Sequence, residues 1–251
     1  MTITERFTLN DSGNGNGDVR LRWLDNAPAA PEGLPILFSP GFSDFADDYV
    51  EMLEFMAPRR VVVVEVRGRG GSDAHADADY SAPQHAADLR AVVEDAGFDR
   101  FHLMTFSRGT TWGLEMAFSL RDRVASISIG DYWAKEHGLT EELGRGMMAT
   151  KFRGKPMPER IQEHVVLSVF RESRERLFWD HLADMPCPVL LAHGTEEGRL
   201  VDDEGIEQYR ATRPDIEVVT IHGAAHDLFR YDRHAYPRAV LQFIANDCPG
   251  L

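Results

Sequence analysis

Three kinds of residue in this chain could together break an acyl bond: a serine in a tight bend, a histidine after a late strand, and a carboxylate after another. The serine is Ser107, in Met104-Thr105-Phe106-Ser107-Arg108-Gly109. The apolar run Phe101 to Phe106 reads as a buried strand, and Thr110 to Leu120 as a helix carrying Trp112, Met116 and Phe118. A strand that turns sharply into a helix projects the residue at the bend, and the residue two places on must be small because strand and helix nearly touch. Gly109 meets that need. The free N–H groups and positive dipole end of a helix start suit a developing oxyanion. Alone, the hexamer equally describes a serine capping a helix, so other stretches must decide.

Acyl transfer by serine needs a base, a carboxylate to orient that base, and donors for the oxyanion. His226, in Gly223-Ala224-Ala225-His226-Asp227, is the candidate base; His222 ends the preceding strand and reads as structural. Glu197, in His193-Gly194-Thr195-Glu196-Glu197, is the candidate acid, three residues past a glycine turn. Asp131, directly after the strand Val124 to Gly130, is the alternative acid. The oxyanion donors are the backbone N–H groups of Arg108 and of Phe42, in the Pro40-Gly41-Phe42 turn. A second serine, Ser72 in Gly70-Gly71-Ser72-Asp73-Ala74, is followed by a polar turn rather than an apolar helix and is set aside. The two cysteines show no metal-ligand spacing, and the chemistry nominated here implies no metal and no organic cofactor.

The elements that must position these groups can be read in order. Strands at 3–10 and 19–25 flank a Gly/Asn-rich turn and read as a hairpin. Leu34 to Ser39 is a short strand, 44–56 a helix, and Val61 to Val66 a valine strand of the kind buried on both faces. Ser81, Pro83 and Gln84 predict a capped helix start and Gly97 its end. Strands at 189–193 and 216–222 enclose a helix at 202–212, and a helix at 237–245 closes the pattern. This alternation predicts an α/β fold: a mostly parallel twisted sheet of about eight strands with helices on both faces. Residues 132–186 contain helix-like pieces and no convincing strand. They are expected to form a helical cap over the carboxyl ends of the strands, where open α/β sheets bind ligands. The domain plan is then core 1–131, cap 132–186 and core 187–251.

The formal charge of −14 argues against nucleic acid or an anionic membrane surface as partner. The two cysteines, Cys187 and Cys248, are far apart and each precedes a proline, as expected of thiols in a reducing compartment. With no apolar run near ~18 residues, the expectation is a cytoplasmic protein, monomer or homodimer, acting on a small molecule. Residues 144–160 hold Arg145, Lys151, Arg153, Lys155 and Arg160 against one acid, Glu159, with Met147, Met148 and Met157 among them. That excess suggests an anionic substrate contacted by Met147, Met148, Arg153 and Lys155, against the plainer reading of a solvated basic face.

The chain order Ser107, Glu197, His226 brings these pieces together, and from about Leu34 to Ala245 the sequence resembles the α/β-hydrolase superfamily. Five segments carry the likeness. Leu34 to Phe42 is similar to the oxyanion strand and turn, Val61 to Asp73 to a strand with its Arg-Gly-x-Gly-x-Ser loop, and Phe101 to Gly113 to the nucleophile elbow and its helix. Pro188 to Val201 resembles the strand with the acid turn, and Val219 to His226 the histidine turn. The departures are Thr105 where glycine is usual, Pro40 in place of histidine, Glu197 in place of aspartate, and Ala225 in place of glycine. The resemblance implies a serine hydrolase that cleaves a small carboxylic ester or lactone through an acyl-enzyme. A serine at 107 points away from the family's dehalogenases and usual epoxide hydrolases, which use a carboxylate nucleophile. Two alternatives stay open: a non-hydrolytic or carbon–carbon bond-cleaving enzyme using the same Ser–His pair, and a non-catalytic ligand-binding receptor on this fold.

Overall fold

The computed structural model describes residues 2–247. Cys248 lies outside the described residues, while Cys187 is a buried thiol. The chain opens with an antiparallel hairpin, β1 (Thr4–Asp11) and β2 (Asp18–Asp25). Six further strands follow: β3 (Ile36–Ser39), β4 (Val61–Glu65), β5 (Phe101–Phe106), β6 (Val124–Gly130), β7 (Val189–Gly194) and β8 (Glu217–Ile221). They form one eight-stranded sheet in the order β1-β2-β4-β3-β5-β6-β7-β8. Every pairing from β4 across to β8 is parallel, and β2 runs antiparallel to β4.

Alternation along each strand divides the core into two layers. In β4, Val62 and Val64 face one apolar cluster, and Val61 and Val63 the other. The first cluster takes in α2 (Ala82–Asp95), α3 (Gly109–Ser119) and α7 (Asp203–Thr212) through residues such as Leu89, Trp112 and Tyr209. The second takes in α1 (Val50–Phe55) and α8 (Ala235–Asp247) through Met52, Leu53, Val240 and Phe243. A sheet covered on both faces explains the unbroken valine run, which could not tolerate a solvated side.

Between β6 and β7 lie α4 (Glu141–Met148), α5 (Glu163–Glu172) and α6 (Trp179–Ala183). Two ladders of two-residue strands also occur there, Lys135–Glu136 with Arg176–Leu177 and Lys151–Phe152 with Lys155–Pro156. Strands this short leave no periodic signature, so sequence patterning misses them. The helix expected over 44–56 is split into a 3₁₀ turn, Ala46–Tyr49, and α1. The capping box expected at Ser81 does not form: the Ser81 hydroxyl makes no cap bond, and the Gln84 amide donates instead to the Asp11 carbonyl at 2.8 Å. Among the described residues no helix is long and apolar enough to cross a membrane.

Candidate active site

The site gathers at the carboxyl ends of β3, β5 and β6 and in the turn after β8. Ser107 follows β5 directly, with φ of 52°. A non-glycine residue at positive φ is strained, at a cost of about 1–3 kcal/mol, and persists only where its surroundings force it. Here the Ser107 N–H donates to the Gly130 carbonyl at 2.9 Å, and α3 starts two residues on. The need for glycine at 109 is steric: a Cβ there would stand 2.2 Å from the Pro40 carbonyl oxygen.

The Thr105 side chain, unusual at this point of the elbow, finds its room in α3. Its Oγ1 hydrogen-bonds Thr110 at 2.9 Å and the Ser128 carbonyl at 3.2 Å. Its methyl lies against Gly113, where a Cβ would approach it to 2.7 Å. Tyr236, fully buried on α8, pins the strand ends from the other face by donating to the Thr105 carbonyl at 2.8 Å.

His226 stands in the turn after β8, its ring stacked on Phe106 at 5.1 Å. Its Nε2 is 2.8 Å from Ser107 Oγ and its Nδ1 is 2.7 Å from Asp131 Oδ2. Nδ1–H donated to the carboxylate leaves Nε2 as the acceptor for the serine hydroxyl. Asp131 is fully buried, directly after β6, with φ of 42°. Its other contacts are backbone N–H groups: Leu200 donates to Oδ2 at 2.9 Å and Val201 to Oδ1 at 3.1 Å.

Glu197, the first choice of acid from the sequence, is not at the site. It lies exposed in the 195–198 turn after β7 and does not touch His226. The alternative, Asp131, occupies that position. The physical reason is a division of labour between neighbouring loops: the chain beyond β7 approaches with its N–H groups at 200 and 201, not with its carboxylates.

The Phe42 and Arg108 N–H groups flank Ser107, and among the described residues neither is spent on a hydrogen bond. The loop presenting Phe42 is fixed without the usual histidine. Asp44 Oδ2 accepts from the Gly41 N–H and from the Tyr49 hydroxyl, both at 2.7 Å. Arg69 Nε donates to the Phe42 carbonyl and Arg160 Nε to the Ser43 carbonyl, both at 2.9 Å. Burial against the Phe42 and Trp112 rings pushes the Arg69 guanidinium down to about 9, which leaves it charged at neutral pH. Burial also raises the Asp44 carboxyl, while the Arg153 charge and the Tyr49 hydroxyl draw it back down. Sequence reasoning missed Asp44. The available signal was its position three residues after Gly41, where an aspartate can close a turn on a backbone N–H.

A cavity of about 210 Å³ adjoins Ser107 and His226, lined by Phe42, Met147, Phe152 and Met157 among others. Met147 therefore reaches the cavity, as expected, whereas Met148 packs on the core and does not line it. Arg153 is turned away from Ser107. Its guanidinium lies 3.4 Å from Asp227, 3.6 Å from Asp48 and 3.7 Å from Asp44, over the rings of Tyr49, Phe152 and Phe229. It ties the segment after β6 to the oxyanion and histidine loops, a role at odds with the substrate contact expected for it. Lys155 is exposed and lines a neighbouring cavity rather than this one.

A family model described as the alpha/beta hydrolase fold matches residues 35–141. Fluoroacetate dehalogenase from a Burkholderia species is 32% identical over 120 residues, covering 46% of this chain and 38% of that protein. The chain's match thus spans about two fifths of the length of the curated relatives. Among solved structures, the esterase RhEst1 from Rhodococcus sp. ECU1013 superposes with a TM-score of 0.76 at 17% identity, covering 98% of this chain and 100% of that one. The enol-lactonase from Burkholderia xenovorans LB400 does so with 0.76 at 14% identity, covering 96% and 100%. The chain thus has the α/β-hydrolase fold over nearly its whole length, and its residues 35–141 carry the matching sequence pattern.

Proposed function

We propose that the protein is a serine hydrolase that cleaves a small carboxylic ester or lactone through an acyl-enzyme. The observation that carries this reading is the continuous path Asp131–His226–Ser107, with links of 2.7 and 2.8 Å. His226 Nε2 takes the Ser107 proton as Oγ attacks the carbonyl carbon, and later gives it to the leaving alkoxide. Asp131, desolvated and held by two N–H groups, keeps Nδ1–H in place and stabilises the imidazolium that forms. The Phe42 and Arg108 N–H groups receive the oxyanion. A water activated by the same imidazole then attacks the acyl carbon and frees Ser107.

A hydroxyl at 107, rather than a carboxylate, favours acyl transfer over the dehalogenation for which that relative is named. The cavity of about 210 Å³ suits a short acyl group, and its aromatic and methionine lining an apolar one. We also propose a cytoplasmic location, on the reducing-compartment use of its cysteines, and a monomeric or homodimeric state with a small molecule as partner.

The test is labelling with a fluorophosphonate probe, followed by hydrolysis of p-nitrophenyl esters. Wild type labels and turns over esters, and Ser107→Ala does neither. Labelling without turnover across short esters and lactones points to a non-hydrolytic reaction at the same pair. Absence of labelling favours a binding protein.

A further inference from the structure

Beside the Ser107 cavity, and sharing Lys151 and Phe152 with it, lies a larger one of about 590 Å³. Its walls are the hairpin at 151–156 and the loop after His226. Six of the lining side chains are cationic, namely Lys151, Arg153, Lys155, Arg160, Arg230 and Arg233, against two carboxylates, Asp48 and Asp227.

Ion pairing separates the structural cations from the available ones. Arg153 is taken by Asp227, Asp48 and Asp44. Arg160 is taken by Asp48, and Arg233 by Glu51 at 3.3 Å. Of the other basic residues in the 144–160 stretch, Arg145 pairs with Glu141 at 3.0 Å. Lys151, Lys155 and Arg230 have no carboxylate at ion-pair distance among the described residues, and all three are exposed. Three unpaired cations around one concavity make a local excess of positive charge in a chain whose formal charge is −14.

We propose that this cavity is an anion subsite. It takes a carboxylate or phosphate group at the end of the substrate remote from the scissile bond, while the acyl carbon sits at Ser107. The inference rests on the serine-hydrolase reading and narrows it to small esters that carry an oxyanion. Lys151 and Phe152 line both cavities, which are therefore neighbours. The rings of Phe152 and Phe229 give the connecting carbon chain an apolar wall.

The experiment compares p-nitrophenyl hydrogen glutarate with its neutral counterpart, p-nitrophenyl valerate. The readout is the ratio of kcat/KM for the anionic ester to that for the neutral one. Lys155→Glu and Arg230→Glu each lower this ratio by about tenfold, through KM rather than kcat. Raising the salt concentration lowers it in wild type and much less in the double variant. Equal effects on both esters overturn the proposal. Calorimetric binding of the same two esters to Ser107→Ala separates the subsite from the catalytic reading. Tighter binding of the glutarate ester, lost when Lys155→Glu and Arg230→Glu are added, upholds the subsite even if wild type turns over neither ester. Indifference to the ester's charge refutes it. Competition by inorganic phosphate against acetate then distinguishes the two oxyanions. Lys155→Gln and Arg230→Gln, which remove charge without reversing it, give the same direction with smaller size.

Discussion

The loops that follow the neighbouring strands β6 and β7 each carry a carboxylate, and only one is placed to orient the histidine. Asp131, after β6, is fully buried and receives three hydrogen bonds: one from His226 and two from backbone N–H groups. Glu197, after β7, sits in an exposed turn. A carboxylate orients an imidazole well when water cannot compete and its remaining lone pairs are satisfied. The β6 loop supplies the acid and the β7 loop supplies its cradle. A carboxylate's distance from a strand end in sequence is therefore a poor guide to its role; burial and partners decide.

The sharpest way to break this contrast is to neutralise each acid in turn. Asp131→Asn is expected to lower kcat for p-nitrophenyl butyrate by about 10⁴-fold, as losing the orienting acid does in serine triads. Glu197→Gln stays within about twofold, and a reversal of the two results would hand the role to Glu197. The same inside-against-outside distinction holds for cations of one hairpin. Arg153→Met is expected to destabilise by about 3 kcal/mol, because it strands the buried Asp44 without a counter-charge. Lys155→Met changes stability by less than about 0.5 kcal/mol. Urea unfolding with a common m-value measures both.

His102 extends the distinction to pH. It lies buried on β5, the strand that carries Ser107, with Nδ1 2.8 Å from Ser126 Oγ. Burial lowers its imidazole from 6.5 to about 3. Between those values the unfolded chain binds a proton that the folded chain refuses. Its contribution is fully present above the unfolded value and drains as pH falls through the window, at about 1.4 kcal/mol per pH unit for this one group. His102→Gln should flatten stability against pH there, read as the difference between variant and wild type. An unchanged slope would show that the ring is already charged in the fold. A last prediction concerns the elbow. Gly113→Ala should cost about 1–3 kcal/mol by crowding Thr105, and Thr105→Gly in the same chain should recover most of it. Non-additivity of that size is measurable by a double-mutant cycle.

Much of this arrangement was legible in the residues. The two-sided valine run announced a covered parallel sheet, and Ser107 with Gly109 announced the bend, because each reflects a local steric demand. His226 was legible through its place after the last strand. The choice between Asp131 and Glu197 was not, since it depends on which loop turns its side chain inward and which its N–H groups. Nor did any pattern foretell that, of the basic residues between 151 and 160, Arg153 and Arg160 would be tied to carboxylates while Lys151 and Lys155 stay unpaired. Pairing with Asp44, Asp48 and Asp227 is a contact between segments far apart in sequence, and periodicity does not report it.

The knot that Arg153 makes with those three aspartates bears on how this architecture can be re-engineered. The hairpin at 151–156 is not an exchangeable module. Grafted onto a sibling scaffold with neutral side chains at 44, 48 and 227, it would bring an orphan guanidinium; removed from this one, it would leave the oxyanion loop beside an uncompensated acid. Chimeras at this boundary must transplant Arg153 and its acidic seats as one unit.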